Sequence, residues 1–78
     1  MTLEQINEIR DLIADVHQNV CEGEASQYQL ARLYDAITRL MDATFETKDQ
    51  DMKVALATLE CAARQQKELV EELLVVRN

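Results

Sequence analysis

A Ser or Thr followed three residues later by Gln recurs three times in this chain, at Thr2 to Gln5, Ser26 to Gln29 and Thr47 to Gln50. That spacing is the signature of a capping box. The hydroxyl accepts from an amide of the first helical turn while the Gln side chain reaches back to the cap, so two otherwise unpaired donors are satisfied. Between the three starts little interrupts a helix, because the 78 residues contain no proline and a single glycine, Gly23. The chain is therefore expected to be all-α and one small domain, a three-helix antiparallel bundle.

The apolar spacing supports the same division. Ile6, Ile9, Ile13, Val16 and Val20, with Leu12, recur every three or four residues and mark an amphipathic helix over about residues 3–20. The stretch from Cys21 to Ala25 breaks it, and Gly23 can take the left-handed conformation that ends a helix. A second helix, about residues 27–46, carries Leu30, Leu33, Tyr34, Ile37, Leu40 and Met41 on one face. Its other face, with Arg32, Asp35, Arg39, Asp42 and Glu46, consists of mutually compensating charges.

The third helix, about residues 50–76, is the longest, near 40 Å against about 27 to 30 Å for its partners. Val54, Ala57 and Cys61 lie opposite its main apolar stripe, so its first half is apolar nearly all round and is expected to be buried on two sides. An overhang of about two turns is expected near Leu69, Val70, Leu73 and Leu74, a patch suited to an interaction. A competing architecture exists, because Met41, Phe45, Lys48, Met52, Ala55 and Leu59 also form a nearly continuous seam. A short N-terminal helix would then be followed by one long coiled-coil helix. The turn is preferred, since Thr47 and Asp49 are good caps and Lys48 would fall in the seam.

Charge narrows the partners. Fifteen acids face eight bases, a net charge of −7, which argues against direct nucleic-acid binding and against a membrane surface. No apolar run is long enough for a membrane span, and the acidic N-terminus does not resemble a secretion signal, so the expected location is cytoplasmic. The charge is uneven: residues 1–24 hold six acids and one base, and residues 25–78 hold nine acids and seven bases. Glu4, Glu8, Asp11 and Asp15 step along one side of the first helix with Arg10 the only base nearby in sequence. That ridge reads either as a solvated face or as a docking surface for a basic partner.

Chemistry has few residues to work with. His17 and Cys21 lie four apart, a spacing that can set two metal ligands on one helical face, and Cys61 is a third candidate. A structural zinc site needs four ligands, so a helix-end histidine and two ordinary thiols are the expected reading, with no metal and no cofactor. No Gly-rich phosphate loop or buried carboxylate pair suggests an enzyme. Gln66 is the one strongly polar residue in the third stripe. It either sets register or marks where the bundle ends.

The expected function is that of a small acidic protein–protein interaction module. Its type is that of bacterial or phage regulators and inhibitors that bind a host protein, an analogy of type alone. A homodimer through the third helix is expected, with Val54, Ala57, Cys61 and the apolar end as interface. The alternatives are a purely structural oligomerisation module, and an acidic mimic that occupies the nucleic-acid groove of its target.

Overall fold

The structure, a computed structural model, describes residues 1–77 as three helices: α1 (Leu3–Cys21), α2 (Gln27–Glu46) and α3 (Gln50–Arg77). Two capping boxes form as expected. Thr2 Oγ1 accepts from the Gln5 amide at 3.2 Å while Gln5 Oε1 accepts from the Thr2 amide at 2.9 Å. Ser26 and Gln29 repeat the exchange at 3.1 and 3.2 Å.

The third box does not form, and the cap moves two residues along. Asp49 Oδ1 accepts from the amides of Asp51 at 3.0 Å and Met52 at 3.3 Å, which makes Asp49 the N-cap of α3. Thr47 instead accepts from the Asp49 amide at 3.3 Å and shapes the turn before the cap. The residue three after Asp49 is Met52, which has no oxygen with which to complete a box. Thr47 itself is extended, with φ −75° and ψ 143°, and this ends α2. The continuous-rod alternative is thereby overturned.

Gly23 ends α1 in the left-handed region, φ 77°. Its amide donates to the Val20 carbonyl at 3.0 Å and the Glu24 amide to the Asn19 carbonyl at 2.8 Å. Those two bonds are the paired closure of a Schellman motif, which needs a residue comfortable at positive φ.

The three helices run antiparallel in sequence order. Tyr34 meets Lys67 and Glu71, and Met41 meets Arg64, which fixes the opposed directions of α2 and α3. These two helices form the most extensive pair, and α1 lies across them, resting more on α3 than on α2. The molecule is 43 Å long and 18 by 16 Å across, so α3 spans it from end to end.

The core is a single aliphatic column. Ile9, Leu12 and Val16 come from α1, Leu33, Ala36, Ile37 and Leu40 from α2, and Leu56, Ala63 and Val70 from α3. The α3 contributors fall seven residues apart, the spacing of a helix that keeps one edge toward two neighbours. Among the described residues no helix is long and apolar enough to cross a membrane.

Candidate functional site

The far end of α3 is less open than the length argument predicts. Val70 is fully buried, Leu69 and Leu73 are half-buried, and Leu74 packs against the core with Val20 and Ala25. The reason is geometric. Val20 at the end of α1, Ala25 in the connection and Leu30 in α2 pack against the same core as Leu74, so the core extends to this end of the bundle. Val70 is therefore not available as an interface residue in the free chain. The exposed part of this end shrinks to Val75 and Val76.

The expectation of burial on two sides of α3 is also not met. Val54, Ala57 and Cys61 are exposed, because α1 and α2 both contact the opposite side of the helix. They remain an open apolar stripe.

A second group of exposed apolar side chains is at the other pole, beside the α2–α3 turn. Phe45 in the last turn of α2 is 91% exposed, and Leu3 at the start of α1 is 73% exposed. Met1, Met52 and Val54 join them at the same end. Between the three helix ends lies a depression of about 290 Å³ lined by Met1, Ile6, Ala43, Glu46, Thr47, Met52 and Leu56. That volume is at the small end for a metabolite or cofactor pocket, and is a fit for one or two protruding side chains.

Glu46 lines this depression, and a neighbouring groove holds Asp42 and Glu46 together with Arg39 and Met1. Sequence reasoning placed Met41, Phe45 and Met52 in a hypothetical seam and missed the pole. The usable signal was that Phe45 and Leu3 belong to no stripe that the bundle needs.

The acidic ridge is exposed along α1, as its spacing predicts. Its basic surroundings differ from the sequence view. Arg10 lies on the opposite flank of α1, in a depression with Ile13, Ala14, His17, Leu59 and Gln66. Glu8, by contrast, shares a shallow groove with Arg32 and Arg39 of α2. Asp35 lies in the same groove and pairs with Arg39 at 3.3 Å, so the two guanidiniums offset the field of the ridge only in part. The ion pairs within 4 Å among the described residues all lie within α2 or within α3: Asp35 with Arg39, Glu60 with Arg64, and Lys67 with Glu71. The hydrogen bond to Glu71 holds the Lys67 ammonium above the ordinary lysine value, reinforced by the charges of Glu71, Tyr34 and Glu68 against partial desolvation.

Gln66 is the one buried polar side chain among the described residues, 7% exposed. Its Nε2 lies 3.1 Å from His17 Nδ1, and its Oε1 has no partner. On the other side of the same ring, His17 Nε2 lies 3.7 Å from Cys21 Sγ. The residue does not mark the end of the bundle, since Val70 beyond it is fully buried. Cys61 does not reach this cluster: no three His, Cys, Asp or Glu side chains gather in a metal-holding group among the described residues.

Compared with known proteins, the chain matches no family model, no curated protein and no solved structure at a significant level.

Proposed function

We propose that this chain is a protein–protein interaction module that docks a target through the pole at the α2–α3 turn. The observation that carries this reading is Phe45, 91% exposed in the last turn of α2, at the end of the bundle where Leu3, Met1 and Met52 are also exposed and a partly apolar depression opens. Several large apolar side chains left exposed at one end of so small a domain are a characteristic of interaction sites.

The occupant that fits is a segment of another protein presenting a bulky apolar side chain with basic neighbours. The depression accepts the apolar side chain, and Glu46 in its lining, with Asp42 in the adjoining groove, complements the bases. An amphipathic helix laid across the pole meets both requirements. Blocking or modulating the target's activity follows from occupying such a segment, as expected of small regulators and inhibitors.

The acidic ridge is a weaker basis for nucleic-acid mimicry, since Glu8 shares its groove with Arg32 and Arg39. Homodimerisation through Val54, Ala57 and Cys61 uses a stripe that continues from the same pole.

Photo-crosslinking tests the reading. A photoreactive residue at position 45 is expected to trap a defined protein in the native cell, and one at Gln65, exposed on the outer side of α3, is not. Burying a Phe side chain contributes about 1.5–3 kcal/mol, so Phe45→Ser is expected to weaken the complex about 10- to 100-fold. Its melting temperature should stay near that of the parent. If position 45 crosslinks only to a second copy of this chain, the structural-oligomer reading replaces this one.

A further inference from the structure

We propose that His17 and Cys21 form half of a tetrahedral zinc site that a second copy of this chain completes. Both side chains are exposed on one face of α1, with Nε2 and Sγ 3.7 Å apart. Zinc binds imidazole nitrogen at about 2.0–2.1 Å and thiolate sulfur at about 2.3 Å, so a tetrahedral angle sets these two atoms about 3.6 Å apart. The free chain thus already holds the pair at about the length of one edge of the tetrahedron.

A second observation comes from the interior. A zinc-ligating histidine is normally held by a hydrogen bond from its other ring nitrogen, which fixes the tautomer and the ring plane. His17 Nδ1 is 3.1 Å from the side-chain amide of Gln66, itself buried between the helices. Which amide atom faces the ring depends on the hydrogen-bond network. With the amide oxygen toward the ring, Nδ1–H donates to it and the Nε2 lone pair is free for a metal. Either orientation leaves one end of the amide buried without a partner: Oε1 when Nε2 faces the ring, the amide hydrogens when it is turned. Gln66 is therefore a positioning residue for His17, and its place in an otherwise aliphatic core has a physical reason.

The chain supplies two ligands at this place and no third, since no larger metal-holding group occurs among the described residues. A two-fold axis through the metal supplies the remaining pair from the same residues of a second copy, giving two histidines and two cysteines. Zinc displaces the proton from each Cys21 thiol, so two protons leave per metal and the neutralised core carries no added charge. Beside the pair, Arg10, Ile13, Ala14 and Leu59 line a depression of about 280 Å³ that the second copy covers. The site lies at the opposite pole from Phe45, so its test is independent of the docking reading.

Titration of the reduced full chain with zinc, and with cobalt as a spectroscopic probe, decides the matter. The expected result is one metal per two chains, tetrahedral cobalt bands with thiolate charge transfer, and two protons released per metal. Sedimentation should show a two-chain mass that a chelator returns to one chain. Cys21→Ser and His17→Ala should each abolish that stoichiometry with helicity retained, both residues being exposed, while Cys61→Ser should keep it. Gln66→Leu should weaken zinc binding about 10- to 100-fold without altering the cobalt spectrum. One metal per chain, no uptake, or full uptake by Cys21→Ser overturns the proposal. Unchanged affinity in Gln66→Leu overturns the role given to Gln66.

Discussion

Single side chains decide where the helices of this protein begin, and the α2–α3 turn is the instructive case. Thr47 and Asp49 are both good capping residues, and local preference alone does not choose between them. The choice falls on Asp49 because its carboxylate reaches the amides of both Asp51 and Met52, whereas Thr47 is left to bond the Asp49 amide. Asp49→Ala is accordingly expected to cost about 1 kcal/mol of stability, and Thr47→Ala clearly less. Urea unfolding of the two variants measures the difference. Equal losses would mean that the threonine shares the cap after all. Gln66 was legible as an anomaly in an apolar stripe, but its partner was not, since His17 lies 49 positions away on another helix.

At the level of elements, apolar periodicity located all three helices to within a residue at each end, because each carries a stripe bounded by a cap or a turn. The α1 stop is the sharpest of these boundaries. Gly23 sits at φ 77° with open space where a Cβ would point, so substitution there meets a conformational cost rather than a clash. Gly23→Ala is expected to destabilise by about 1–2 kcal/mol, the cost of placing an L-residue in the left-handed region. Gly23→Asn should lose less, because its short polar side chain tolerates that region. A thermal melt in which Ala and Asn behave alike would contradict this account. The fate of α3 was not readable from its own length. Its apolar end joins a core to which Val20 and Ala25 also contribute, and that depends on how the first helix crosses the other two.

For the molecule as a whole, a domain of this size draws only about 3–5 kcal/mol from one core. Leu33 lies at the centre of that core with no exposed surface. Leu33→Ala removes a buried isobutyl group at a cost of about 2–5 kcal/mol, so much of the chain should be unfolded at room temperature by circular dichroism. Survival of a near-parental melt would require a source of stability outside the monomer core, such as a metal-linked dimer. The sequence by itself determined the all-helical class, the three segments, the charge imbalance of the first third and the identity of the aliphatic stripes. All of these follow from local rules with periods of three or four residues. Only the tertiary structure decided which apolar side chains remain in water, that Arg32 and Arg39 rather than Arg10 accompany the acidic ridge, and that Gln66 holds His17. Each of those depends on the rotation and crossing of one helix relative to another, which is set by side chains packing across long sequence separations rather than by any neighbour in the chain.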